Sequence, residues 1–481
     1  MISLDTPEAV RTDPDANLKT NSLGSFGIFF LIVSAAAPLS VAAGIGPLAI
    51  LIGGIGAPIV YLLAGVVLIV FAIPFMAMAR HVSTLGGFYT YITASLGKVV
   101  GLGSAAVAML SYNALQIGLY GLMGVQVEGL LKTLLGIDVP WWLIAYVGIA
   151  LVFLLAYLGI DVGAKVLGIL LVAETLVLSL LVVAVVVHGG AHGLSLGFLS
   201  SGNLFTPGMF AIIGFGFAAF MGFESSVLYR EEAKSPDRVI PRATYGAVIF
   251  MAVFYALVLW AVVQAFGDAQ VQAVAAKDPA GLFFTAMRLY VGPWAEVVMY
   301  LLIVTSIYAG QLAFHHAINR YTFSLARDGI LPRALHTTSR FGSPWVAGLV
   351  QTVLATIVVT VFVLAHGDPY QQLVLWVNSP GVLGVIALQA LTGVAVIVFF
   401  VRRRDVPRRW YIIPAAVVGT LAMVGLLVLL ISTIDTLTAG GPVVDTVIVL
   451  LLPVVFIVGA VTAVVLKRRR PEAYERIAGG E

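Results

Sequence analysis

The architecture turns on residues 34–47, Ser34-Ala35-Ala36-Ala37-Pro38-Leu39-Ser40-Val41-Ala42-Ala43-Gly44-Ile45-Gly46-Pro47, set within a longer apolar stretch. Pro38 removes one i to i−4 hydrogen bond, and the small residues that follow give little side-chain reason for a helix to stay continuous. At bilayer depth, backbone groups released by such a break must be satisfied by protein, water or ligand. Close helix packing through small residues is the alternative explanation of the same run. A second stretch reads Gly214-Phe215-Gly216-Phe217-Ala218-Ala219-Phe220-Met221-Gly222-Phe223-Glu224-Ser225-Ser226. Two glycines two apart, an aromatic and small segment, and a carboxylate inside an apolar span make a poor helix and a reasonable pocket wall.

The surrounding chain has 481 residues, 60% apolar and 10% charged, against about 25% charged in a soluble globular protein. With a mean hydropathy of +1.06, most of its surface is suited to an apolar solvent, which excludes an ordinary soluble enzyme and predicts an all-α polytopic membrane protein. Cysteine is absent, excluding disulfides, thiolate catalysis and cysteine metal ligands. A formal charge of +3 gives no argument for nucleic acid. No nucleotide-binding loop is visible, which argues against ATP-driven transport.

Windows of about 20 apolar residues mark twelve predicted spans, near 24–50, 55–79, 99–127, 141–160, 162–188, 208–229, 244–266, 291–317, 345–365, 373–401, 410–433 and 442–466. With both termini cytoplasmic, 23 of the 26 Lys and Arg fall inside, leaving Lys132, Lys277 and Arg288 outside. That skew supports an even count in a cell membrane. The acidic residues 1–23 are expected to be a cytoplasmic tail, and 467–481 a second one behind the basic run Lys467–Arg470. Arg402, Arg403, Arg404, Arg408 and Arg409 form another basic anchor, with anionic lipid as its secondary contact. Spans 24–188 and 208–401 form two blocks of five that enter from opposite sides, with 410–466 supplying two more. Interrupted segments at matching positions of two opposed halves are the best pointer to a central transport site.

Helix ends supply the expected chemistry. Freed N–H groups hold a carboxylate and freed C=O groups hold an ammonium or a cation. A zwitterion fits both, with N–H groups near Gly44, Ile45 and Gly46 taking the carboxylate and carbonyls near Phe215, Gly216 and Phe217 taking the amine. Ala218 and Ala219 leave space, and Phe217 and Phe220 serve as wall or lid.

These residues resemble the amino acid–polyamine–organocation superfamily of permeases. The resemblance is carried by Ser34 to Gly46, Gly214 to Ser225, the loop Glu231-Glu232-Ala233-Lys234-Ser235-Pro236 with Ile240-Pro241-Arg242-Ala243, then Asn319-Arg320, Ala326-Arg327-Asp328-Gly329 and Leu331-Pro332. It implies a five-plus-five inverted repeat with two added helices, helices 1 and 6 discontinuous, and alternating access. The first span departs from the family's Gly-Ser-Gly-Ile form, so backbone nearer Ala37 or Ser40 is the alternative carboxylate contact.

Intramembrane carboxylates are functional candidates. Glu174, about nine residues past Lys165 and so roughly 13 Å into its span, is read as proton coupling or as a structural hydrogen bond. Glu224 is read as coupling or gating, while Glu296 and Glu128 are expected to reach water. Thr305 and Ser306 with first-span carbonyls could instead make a sodium site. The adjacent His315 and His316 diverge by about 100° and make no metal pair. Tyr112, Asn113 and Gln116 face either substrate or a neighbouring helix. The expected function is secondary transport of a neutral amino acid coupled to protons, without cofactor, metal or catalysis. The alternatives are exchange or import of organic amines or polyamines, and sodium symport.

Overall fold

The computed structural model describes residues 18–82, 86–403 and 410–478. The acidic residues 1–17 and the anchors Arg404, Arg408 and Arg409 lie outside the described residues. Ten helical stretches among the described residues are long and apolar enough to cross a membrane, giving an all-α polytopic membrane protein. The first of them, Ser25–Ala79, is 55 residues long, and Trp141–Tyr157 is a shorter apolar helix outside the ten.

In chain order, α1 (Ser25–Ala36) gives way to a helical run over 38–53, followed by α2 (Ala57–Ala79), α3 (Phe88–Leu96), α4 (Lys98–Leu135), α5 (Trp141–Tyr157), α6 (Ile160–His188) and α7 (Pro207–Ala218). After a 3₁₀ turn, Phe223–Tyr229, come α8 (Pro236–Phe266), α9 (Pro293–Arg327), α10 (Trp345–Leu364), α11 (Val377–Arg402), α12 (Ile412–Ser432), α13 (Gly441–Arg469) and the short α14 (Pro471–Arg476). Three helices run further than the apolar windows suggest: α4 to Leu135, α9 to Arg327, and α8 from Pro236. Hydropathy sees only the lipid-facing length, whereas a helix continues wherever its ends reach water or pack on protein.

The two interrupted segments sit at the centre. α1 packs on α6, α8 and α9, while α7 packs on 46–53 and α2. Around them α4 is the hub, touching α9, α11 and α13. Residues on the lipid side are apolar and exposed, for example Ile169, Leu176 and Val183 along α6, whereas Glu174 of the same helix is turned inward. This inverts the soluble pattern, as expected where the solvent is hydrocarbon.

One end of the bundle gathers segments far apart in sequence. Ser22 and Leu23 N–H groups both donate to Glu232 O at 2.9 Å, and Lys234 N–H donates back to Leu23 O at 2.8 Å. Lys19 pairs with Asp161 at 2.9 Å, Lys98 with Glu475 at 2.8 Å, and Arg327 with Glu231 at 2.8 Å. Tyr89 donates to Asp328, and the Ala478 N–H reaches both. Beneath this layer Arg320 makes a two-pronged bond to Glu232, 2.5 Å from Nε and 2.7 Å from Nη2, with both side chains at 0% exposure. The Arg288–Glu296 pair is 2.5 Å long; Glu296 is buried beneath it, contrary to the expectation that this carboxylate simply reaches water.

Candidate functional site

The first interruption falls at Ala37. This residue adopts a left-handed backbone, φ 50 and ψ 72, which a side chain bearing Cβ disfavours, and its N–H closes a tight turn onto Ser34 O. The cause is Pro38, which cannot donate an N–H and pushes the residue before it out of the helical region. Helix resumes at Pro38 and passes through a widened π turn, Val41–Ile45, in which Gly46 N–H donates to Val41 O. Of the donors expected to be free at Gly44, Ile45 and Gly46, the Gly46 N–H is held within the helix by Val41 O. Glycines permit a break without compelling one, whereas the proline compels it one turn earlier.

The freed donors are at Leu39 and Ser40. Leu39 N–H donates to Glu174 Oε2 of α6 at 3.3 Å, and Ser40 N–H donates to Ser306 Oγ of α9 at 3.3 Å. The Ser306 hydroxyl in turn hydrogen-bonds the Glu174 carboxyl. Glu174 is 1% exposed and Ser306 0%. Two residues singled out separately in sequence thus meet at one helix start, where a carboxylate is favoured by both the unsatisfied N–H groups and the dipole. Thr305 does not join them; its hydroxyl turns back to Leu302 O at 2.9 Å, as hydroxyls in membrane helices commonly do.

The second interruption follows α7. Ala219 N–H donates to Phe215 O and Phe217 O, Phe220 N–H to Phe217 O, and the chain then turns at Gly222, φ 102. Glu224 folds back over this turn. Its Oε2 accepts the Gly222 N–H at 3.2 Å, its Oε1 accepts the Tyr112 hydroxyl of α4 at 3.0 Å, and Gln389 of α11 is a second side-chain partner. The turn meets the first interruption directly, since a methyl group at Gly222 would lie 2.7 Å from Ala35 Cβ. Gly310 of α9 lies against Ala37, and Phe314 closes the same space against Tyr112, ring centroids 6.2 Å apart.

Of the expected wall, Phe220 is buried edge-on against Tyr255 of α8 at 6.1 Å, Phe217 and Ala219 are buried, and Ala218 is half-buried. Gly216 instead packs on Val60 of α2, where a methyl group would meet Cγ1 at 2.3 Å; it is a helix-contact residue. Four hydroxyls near the interruptions, Ser34, Ser40, Tyr61 and Tyr255, are buried without a protein partner among the described residues. Tyr61 and Tyr255 stack edge to face at 5.7 Å, and Tyr255 lies close enough to Glu174 to feel its charge. Sequence reasoning missed Tyr61, Tyr255 and Gln389; their only signal was a polar group within a long apolar run. His315 and His316 are fully buried, and among the described residues no group of three or more His, Cys, Asp or Glu could hold a metal.

The profile of the family described as amino acid permease matches residues 23–472. The branched-chain amino acid permease BcaP of Bacillus subtilis (strain 168) is 23% identical over 453 residues, 88% of this chain and 90% of that protein. The lysine-specific permease LysP of Lactococcus lactis subsp. cremoris is 28% identical over 217 residues, covering 45% and 40%. The low-affinity putrescine importer PlaP of Escherichia coli (strain K12) is 24% identical over 288 residues, covering 58% and 60%. These are transporters rather than enzymes, and the site described above is a polar seam between interrupted helices. A match over nearly the whole length, on a bundle of apolar helices, makes this chain a member of the amino acid permease family of the amino acid–polyamine–organocation superfamily, a multi-pass membrane permease for secondary transport of a small polar solute.

Proposed function

We propose that this chain imports a neutral amino acid together with protons by alternating access. The observation that carries the reading is the occupation of Leu39 and Ser40 N–H groups by Glu174 and Ser306. An ionised Glu174 holds the donor that a substrate carboxylate needs. Protonation weakens that bond and frees the Leu39 N–H, so proton and substrate carboxylate bind together; the coupling is reciprocal by linkage. The substrate ammonium is assigned to the carbonyl end of α7 around Phe215 to Phe217, where the helix dipole is negative. Gly44 to Gly46 are left as wall. Ala35, Ala37, Ala218, Ala219, Phe217, Phe220 and Phe314 offer an apolar lining suited to a neutral side chain, in keeping with the branched-chain permease among the relatives. Glu224, bonded across α4, α7 and α11, is assigned to gating.

For the topology we propose twelve spans. The long stretch Ser25–Ala79 divides at the 3₁₀ turn Gly54–Gly56, and Trp141–Tyr157 counts as a short span, so 24–188 and 208–401 become two opposed blocks of five with 410–466 as the added pair. Both termini are assigned to the cytoplasm, at the end where Lys19, Lys98, Arg230, Arg327, Arg402 and Arg476 collect. A cationic amine is the second reading, favoured by the buried Glu224 and by lysine and putrescine transporters among the relatives.

The test is uptake of labelled leucine, lysine and putrescine into proteoliposomes under a proton gradient, a sodium gradient or neither. Proton-driven accumulation of leucine, lost in Glu174→Gln while leucine–leucine exchange persists, is the expected result. Sodium dependence, or accumulation of putrescine alone, would overturn it.

A further inference from the structure

The last long helix, α13, ends in Lys467, Arg468 and Arg469, and the chain then reverses at Arg470 and Pro471 so that α14 folds back onto the bundle. The reversal is anchored by apolar and acidic residues. Ala473 and Ile477 are buried, Lys98 Nζ bonds both the backbone O and the carboxylate of Glu475, and the same ammonium sits 5.1 Å over the Tyr474 ring. Between this hairpin and the turn after α9 lies a cavity of about 860 Å³, lined by 329–333, 469–473 and Arg476. Four arginines line it, Arg333, Arg469, Arg470 and Arg476, against one acidic residue, Glu472, with Asp328 close enough to Arg476 to interact with its charge. No ion pair within the described residues engages any of the four.

Folding therefore brings Arg333 and Arg476 to the same cavity as Arg469 and Arg470, although all four carry the same charge. The helix C-terminal dipole answers the arginines of α13 and has no bearing on Arg333, which comes from the 3₁₀ turn Arg333–His336. At 29 residues, α13 is roughly 43 Å long against about 30 Å of hydrocarbon, so its basic end stands at headgroup level. Planar guanidinium forks suit the several oxygens of a phosphate, and four arginines on one cavity match such an anion better than a single carboxylate.

We infer that this cavity is a binding site for a phosphate-bearing anion, held by Arg333, Arg469, Arg470 and Arg476, which ties the C-terminal hairpin to the turn after α9. The chemistry is shared by an anionic phospholipid headgroup and a soluble phosphate. The inference is independent of the transported substrate and of the role given to Glu174.

The experiment uses the full-length protein. Thermal unfolding is followed in nanodiscs of phosphatidylcholine alone or with added phosphatidylglycerol, and in neutral detergent with and without inorganic phosphate or pyrophosphate. Wild type, Arg333→Gln, the double variant Arg333→Gln with Arg470→Gln, and Arg242→Gln as an exposed control outside the cavity are compared. The expected result is a rise in Tm with a phosphate-bearing probe, with half-saturation shifted roughly tenfold in the double variant, less in Arg333→Gln, and unchanged in Arg242→Gln. A response to phosphatidylglycerol alone identifies the lipid headgroup; a response to phosphate or pyrophosphate alone identifies a soluble anion. Arg333 lies on an exposed turn, so its single variant keeps the test open if the double variant does not fold. No response to any probe, or an equal response in wild type and Arg333→Gln, overturns the site.

Discussion

Glu174 and Ser306 accept from neighbouring backbone donors, Leu39 and Ser40 respectively, and their substitutions should differ in kind. Ser306→Ala removes one neutral hydrogen bond to Ser40 N–H and one to Glu174. Because the Ser40 N–H is then free for the substrate carboxylate, at about 1 kcal/mol for such a bond its expected effect is a KM lowered roughly fivefold with proton dependence retained, read from initial uptake rates at two external pH values. Thr305→Ala should leave both unchanged, because its hydroxyl serves only Leu302 O. Gly222 and Gly216 make a second contrast. Gly222→Ala places a Cβ at φ 102 and 2.7 Å from Ala35, straining the turn by about 1–3 kcal/mol and closing the space between the two interruptions; transport should fall more than about tenfold. Gly216→Ala meets Val60 at the outer contact of α7, so it should lower Tm while the folded fraction keeps its KM.

At the scale of elements, three contacts beneath the charged end, which we propose close it, are the Ser22–Leu23 backbone bonds to Glu232, the return bond from Lys234, and the buried Arg320–Glu232 pair. Arg320 belongs to α9, Glu232 to the loop after the second interruption, and Leu23 to the approach to α1, so these contacts join both interrupted segments to a continuous helix. Breaking one partner of a buried pair costs about 3–5 kcal/mol because the other charge is left desolvated. Glu232→Gln should therefore open this end. The absence of cysteine makes the measurement direct, since a single Ala36→Cys, buried below the closure, should react with a hydrophilic thiol reagent faster in the Glu232→Gln background than in wild type. An equal rate would assign the pair to folding stability alone.

For the whole molecule, the proposed topology is tested by sided labelling in intact cells. Single cysteines replacing Lys277 and Arg340, both exposed, should react from opposite sides: Lys277→Cys with an impermeant reagent added outside, Arg340→Cys only after permeabilisation. Composition explains why so much of the fold was legible. Burial in lipid selects on composition, so apolar windows located the long helices, while the sorting of lysine and arginine by side is the part that the sided labelling tests.

Composition and charge order determined, without coordinates, that the chain is an all-α polytopic membrane protein, because each is a local property of the backbone and its solvent; that it is a permease rests on the family resemblance, and the two Gly- and Pro-interrupted segments pointed to where we propose its site. The position of the break was legible only in part. Pro38 was the stronger signal, since it lacks a donor and restricts its neighbour, while the Gly46 N–H keeps a bond to Val41 O in a widened turn. Tertiary structure alone decided which side chains answer the freed groups. Glu174 reaches Leu39 across 135 positions, Ser306 reaches Ser40 across 266, and Arg320 finds Glu232 across 88. No helical period relates residues so far apart, and the rotation of α6 and α9 about their axes, set by packing on all sides, is what separates Ser306, turned to the seam, from Thr305, turned to its own backbone.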